Sequence, residues 1–369
     1  MKPTSFLNIL FLILAVFAIA FAGVFLSSVS LPFNSIKKET NIIDQNVILE
    51  KTNINENKED IKEEVFNPEI LKWKLVTDSA SFEKRDTHNV VVFLNKLWLF
   101  GGVGGASPNY SKNYSDIWNS QDGVTWSLVT NKAPWGPRRA GKTVIFKNQL
   151  WILGGVTTGE KYLNDVWYSD NGIDWTLAVN HADWLPRKGF GAAVFLDKIW
   201  VVGGVATNGA VNDVWYSENG VDWILANDKN SWQERYDLAV EIFLGKMWLS
   251  GGVFPGDLGK KEVWYTEDGF SWQKTEEEIP WLGRHGHCFL SHKDYLWIIG
   301  GWSGYAHGYN DTWYSKDGIV WKELYADGVS LWEGREDLEC VDFNNKIFMT
   351  GGMKTNGERT NDVWVLDKE

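Results

Sequence analysis

From about residue 70 to the end of the chain, apolar residues come in short runs, each ended by a glycine pair or by Asp-Gly or Asn-Gly. The runs recur as a set. One run per set ends at Gly101-Gly102, Gly154-Gly155, Gly203-Gly204, Gly251-Gly252, Gly300-Gly301 or Gly351-Gly352. The spacings are 53, 49, 48, 49 and 51 residues. Short apolar runs bounded by turn residues read as strands. Four such runs per copy at a period near 50 predict a β-propeller. Six copies predict six blades, and an all-β fold.

Each copy opens with an aromatic residue and, three positions later, an arginine: Arg85, Arg138, Arg187, Arg235, Arg284 and Arg335. Thirteen residues further on stands an aromatic (Trp98, Trp151, Trp200, Trp248, Trp297, Phe348) in the run that ends at Gly-Gly. A variable loop then leads to an acid two residues before a Trp, as in Asp116/Trp118 and Asp311/Trp313. The third run turns into the fourth at Asp122-Gly123, Asn171-Gly172, Asn219-Gly220, Asp268-Gly269 and Asp317-Gly318. Such pairs suit two-residue type I′ turns, which would set Tyr168 opposite Trp175 and Tyr216 opposite Trp223.

The sixth copy ends without a fourth run. The segment around Trp73 matches the fourth run of the first copy at Trp126, so the N-terminal strand is expected to complete the last blade and close the ring. Closure leaves no long free edge. Ahead of it, residues 6–26 are apolar except for Asn8. That length suits a membrane-spanning helix better than the shorter apolar core of a signal peptide. Residues 1–30 are therefore expected to be a signal anchor, or a signal peptide if cleaved. Residues 31–69 read as a polar linker and 70–369 as the propeller. The propeller would sit outside the cytoplasmic membrane, anchored by an N-terminal helix, or secreted or periplasmic after cleavage.

Lys and Arg number 36 against 48 Asp and Glu, a net charge of -12. No long basic run exists, which speaks against nucleic-acid binding. The two cysteines, Cys288 and Cys340, stand four and five residues after their arginines. Side chains alternate along strands, so the two are expected on opposite faces, as buried thiols.

The strand ending in Gly-Gly, the period, and Asn-Asp before an aromatic strand (Asn164-Asp165, Asn212-Asp213, Asn310-Asp311, Asn361-Asp362) resemble Kelch repeats. The resemblance covers residues 70–366. It implies a six- or seven-bladed propeller, and many Kelch domains bind proteins. Galactose oxidase and the six-bladed sialic-acid mutarotase are enzymes on related propellers. The turns Ser120–Trp126 and Ser315–Trp321 also resemble the structural Asp-box of sialidases.

The arginines would ring the channel mouth. They would either pair with the acids of neighbouring loops or form a cationic collar for a carboxylate or acidic peptide. Departures from the repeat point to a site. After each arginine come Asp86, Arg139, Lys188, Tyr236, His285 and Glu336; further along stand Asp237, Asp337, His88, His287, Lys142, Glu339 and Glu241. Acids and histidines gather on blades one, five and six, and bases on blades two and three, so the mouth should be electrically two-sided. Candidate ligand-binding residues are the six arginines, Asp337, His287, Trp302 and Tyr305. The expected function is non-catalytic recognition of a protein or of a polar, acidic glycan, by a monomeric propeller without metal or cofactor. The alternative is a carbohydrate-active enzyme resembling the sialic-acid mutarotase. There Arg85, Arg284 and Arg335 would hold a sugar carboxylate, and Glu336 or His285 would move the proton.

Overall fold

The computed structural model describes residues 66–105, 112–304, 307–325 and 331–368. Among them the regular elements are strands, apart from one 3-10 turn at Pro68–Ile70. The strands form six antiparallel sheets of four or five strands, one per repeat, and three two-stranded ladders. Blade one consists of Asn89–Phe93, Lys96–Phe100, Ile117–Ser120 and Ser127–Thr130, from the channel outward. Blade six consists of Glu339–Phe343, Lys346–Thr350, Val363–Lys368 and, as its outer strand, Leu71–Thr77. Trp73 stands opposite Leu366 in that last pair. The expected N-terminal helix lies outside the described residues, as do most of the linker and Tyr305. No helix among the described residues is long and apolar enough to cross a membrane.

Tryptophan makes the core. Each blade holds one edge-to-face pair between the aromatic ahead of the arginine and the Trp that opens the outer strand. The pairs are Phe82/Trp126, Trp135/Trp175, Trp184/Trp223, Trp232/Trp272, Trp281/Trp321 and Trp332/Trp73. Ring centroids are 5.2–6.4 Å apart. The last pair sets the N-terminal strand against the connector that enters blade six, and Trp73 Nε1 donates to Thr312 Oγ1 at 3.0 Å.

Three local expectations are corrected. First, the Asp-Gly and Asn-Gly turns are not type I′. In them only the glycine has positive φ, as at Gly123 (+77°). The turn is held by side chains: Ser120 Oγ accepts from Gly123 N, and Asp122 Oδ1 accepts from Val124 N and Thr125 N. Turns with two positive φ lie instead between the two inner strands, at Leu94-Asn95, Lys147-Asn148, Leu196-Asp197, Leu244-Gly245 and Asn344-Asn345.

Second, the longer turn shifts the register. Tyr168 stands opposite Thr176 and Tyr216 opposite Ile224. The Trp residues turn into the core, and the tyrosines pack on Trp151 and Trp200 at 5.1 Å.

Third, Cys288 and Cys340 form a disulfide, with Cα atoms 5.7 Å apart. They belong to the inner strands of different sheets. Neighbouring blades stack face to face, so side chains on opposite faces of consecutive blades are the ones that meet.

Candidate functional site

The connector that enters each blade, the Gly-Gly ends of the second strands and the starts of the third strands all lie at one end of the channel. The arginines tie them together. Arg85 Nη1 donates to Gly101 O at 2.7 Å, and its two Nη groups grip both Asp116 oxygens at 2.7 Å. Arg138, Arg187, Arg284 and Arg335 repeat this clasp on Asp165, Asp213, Asp311 and Asp362. Arg235 reaches Glu262 through Nη2. In five copies the acid also accepts from the indole two residues on, as Asp116 does from Trp118 at 2.7 Å. The Asn of the Asn-Asp pair locks the connector: Asn164 Nδ2 donates to Ala182 O and Trp184 O, and Asn361 Nδ2 to Ala80 O and Phe82 O. All six arginines are buried. Each guanidinium also lies over the aromatic three residues before it. These clasps occupy the arginine forks from within the propeller.

Two residues after each arginine the backbone closes a circle. Thr87 N donates to Asp337 O, Ala140 N to Thr87 O, Gly189 N to Ala140 O, Asp237 N to Gly189 O, Gly286 N to Asp237 O and Asp337 N to Gly286 O, at 2.7–3.1 Å. All six residues have φ between +48° and +60°. This geometry puts each N–H and C=O along the circle rather than across a sheet. Asp237 and Asp337 each lean over a glycine of the preceding blade. A Cβ on Gly189 would collide with Asp237 Oδ1, and one on Gly286 would come within 2.7 Å of Asp337 Oδ1.

Around this circle lies an open space of about 480 Å³, lined by Lys142, Asp237, His287, Asp337 and Glu339 among others. Further along the inner strands is a wider space of about 730 Å³, whose walls include Asn89, Lys142, Glu241, Glu339 and the two half-cystines.

The mouth is electrically two-sided. On one wall stand Asp86, Glu336, Asp337 and Asp237. Glu336 is 8% exposed and its carboxyl makes no hydrogen bond among the described residues; His285 Nδ1 lies 3.7 Å from it. Burial, with the fields of Asp237 and Asp86, pushes its carboxyl up to about 8. Asp337 is held well above the usual carboxylate range by burial and by Glu336, Asp237 and Asp86. Burial lifts Asp237 to about 6 against the pull of Lys188, Lys142 and Arg139. It also raises Asp86, although Arg359 Nε donates to Asp86 at 2.6 Å. The opposite wall carries Arg139 and Lys188, which share Glu160, and Lys142, whose Nζ is 3.9 Å from Glu339.

Burial also holds three mouth histidines, His88, His285 and His287, below the usual imidazole range. Burial lowers His285 to about 4 and His88 to about 3. His88 Nε2 and His287 Nε2 share hydrogen bonds with Thr350 Oγ1 and Ser250 Oγ of neighbouring strands. Trp302 lies in a two-residue ladder against Gly308, and its backbone bridges to His285. Among the described residues no set of three His, Cys, Asp or Glu is grouped to hold a metal ion. Reasoning from the sequence missed the backbone circle: its residues are Thr, Ala, Gly, Asp, Gly and Asp, and only their left-handed φ unites them.

Six four-stranded blades, each pinned by an Arg–acid clasp behind a Gly-Gly strand end, define a six-bladed repeat propeller. The model of the KLHDC2/KLHL20/DRC7 Kelch-repeats domain matches residues 51–252, more than half of the chain. The chain belongs to the Kelch-repeat family. No curated protein matches it.

Proposed function

We propose that this propeller is a non-catalytic recognition module that takes a protein partner at its channel mouth. Membership of the Kelch family supports the partner class, since Kelch domains generally bind proteins. The observation that carries the reading is Glu336: a side chain only 11% exposed, with no side-chain hydrogen bond among the described residues, facing Asp237 and Asp86. A buried acid without a cation is costly, and a perturbed cluster in a cleft marks a functional site. A lysine, arginine or amino terminus of a partner would ionise these carboxyls and be held by them. The Arg139, Lys188 and Lys142 wall would take polar or acidic groups beside it. The collar for a sugar carboxylate loses its anchors in this reading, because Arg85, Arg284 and Arg335 are spent on Asp116, Asp311 and Asp362.

The module is exported and tethered by residues 1–30, through a linker, to a propeller closed by the strand pair Leu71–Thr77 and Val363–Lys368. The apolar run at residues 6–26 supports the tether. The Cys288–Cys340 disulfide supports an oxidising compartment.

Melting curves with lysine-rich and glutamate-rich peptides of equal length test the site, since a ligand of the native state raises the midpoint. The lysine-rich peptide should raise it, and Glu336→Gln should shrink that rise. Equal shifts with both peptides, or an unchanged rise in the variant, would remove the carboxyl cluster from the proposal.

A further inference from the structure

The end of the propeller opposite the arginines is apolar in a way that packing does not explain. The inner-strand turns there place Leu94, Leu196 and Leu244 at φ +48°, +50° and +49°. Their side chains are 61%, 55% and 62% exposed. In three other blades the same turn position holds Lys147, Lys293 and Asn344. A leucine there is doubly unfavourable: left-handed backbone suits Asn or Gly, and the side chain gains no burial. Strain kept without a packing reward points to function.

The neighbouring outer turns extend the patch. Gly172 sits against Trp98, which brings Ile173 beside the Leu94 turn; Gly318 sits against Trp248, which brings Val320 beside the Leu244 turn. Phe270 packs edge-on against Trp200 at 5.7 Å, next to Leu196. Ile173, Phe270 and Val320 are all exposed. Two lysines beside the leucine turns are held in ion pairs, Lys198–Glu218 at 3.2 Å and Lys246–Glu267 at 2.9 Å.

The chain also enters the propeller on this face. Phe66 packs on His292 and Tyr295, which flank the inner turn of blade five, at 5.6 and 5.9 Å. Sixty-five residues precede it, with the apolar run at 6–26 among them.

We propose that this turn face rests on the surface of a phospholipid bilayer, with the three leucine tips in the headgroup region. The channel mouth then points away from the membrane, free for a partner. The proposal rests on the tether reading above. Apolar tips suit a zwitterionic surface, because their binding comes from buried apolar area rather than from attraction to anionic lipid.

The test uses the full chain in phosphatidylcholine vesicles. An environment-sensitive fluorophore is attached in separate proteins at Leu244→Cys and, on the arginine face, at Leu282→Cys. Lipids carrying a quencher on the upper acyl chain should quench the probe at 244 and leave that at 282 bright. Adding Leu94→Asn and Leu196→Asn should weaken quenching at 244 while the melting temperature stays level or rises, since Asn fits the turn. A chain that floats with the vesicles but keeps the 244 probe bright overturns the orientation alone. A chain that does not float overturns the tether and the orientation with it. Dimers of the turn face with a bright probe at 244 would make a second copy the occupant and also overturn the proposal.

Discussion

Replacing Arg284 by methionine keeps a long apolar stem over Trp281 and removes the fork. The loss can be followed atom by atom. Nη1 and Nη2 no longer donate to Asp311 at 2.7 and 2.8 Å, Nη1 no longer donates to Gly300 O at 2.8 Å, and Nε no longer donates to Leu282 O at 3.2 Å. Asp311 keeps the Trp313 indole at 2.8 Å and about a fifth of its side-chain surface in water, so its orphaned charge is partly relieved. Breaking a buried pair from one side costs about 3–5 kcal/mol, and this relief puts Arg284→Met near the lower end, about 3 kcal/mol. At roughly 2–4 °C per kcal/mol for a large domain, the melting point should fall by about 6–12 °C. Denaturant unfolding of the single variant and of Arg284→Met with Asp311→Leu reads the energy directly. The double variant should recover part of the loss, since it no longer leaves a lone buried charge. A loss under about 1 kcal/mol would mean that Arg284 is not a structural clasp. Binding of an acidic ligand lost in the same variant would return it to a ligand-binding role.

Further expectations follow from the same contacts. Burial lifts the Glu241 carboxyl to about 7, against the Ser291 hydroxyl that donates to it at 2.9 Å. Its folded pKa lies above the unfolded value, so its contribution to stability is present at low pH and fades as pH rises through about 7. Glu241→Gln should therefore raise the melting point at pH 8 and change it little at pH 4; an equal effect at both would refute the shift. The disulfide closes a loop of 52 residues, worth about 4 kcal/mol by chain entropy, so Cys288→Ser with Cys340→Ser should show a lower denaturant midpoint. No difference from the parent under oxidising conditions would mean that the bond does not form. Trp73→Ala empties a buried site between Trp332 and Thr312 and should cost about 3–5 kcal/mol; a cost below 1 would mean that the N-terminal strand is dispensable.

The blade count and the strand order were legible because they recur; the arginines recur too, but the sequence left them open between pairing with the acids and a collar for a ligand. A residue type that returns six times at fixed spacing has a structural cause, and the structure pairs each of these arginines with the acid two before a Trp. What was not legible depended on relations between copies. The disulfide required knowing that the inner strands of neighbouring blades face each other rather than sharing a sheet. The Tyr168 and Tyr216 registers depended on a turn held by Ser and Asp side chains, one that Asp-Gly alone does not distinguish from type I′. The leucine turns at Leu94, Leu196 and Leu244 ran against propensity and so gave no turn signal. At the mouth, the charge asymmetry between blades one, five and six and blades two and three could be read from departures in the repeat. The burial of Glu336 could not, because it comes from blades remote in sequence.

The central claim is that a partner binds at the channel mouth. It is tested most directly by photo-cross-linking in the source cells, with a photo-reactive amino acid placed at position 236 in the mouth or at position 225 on the outer edge of blade three. Tyr236 follows Arg235 on the wall beside Asp237, whereas Leu225 stands exposed on an outermost strand. The account predicts a discrete protein adduct from position 236 that disappears with Glu336→Gln, and none from position 225. An adduct from the rim alone, or one at the mouth that survives Glu336→Gln undiminished, would contradict it.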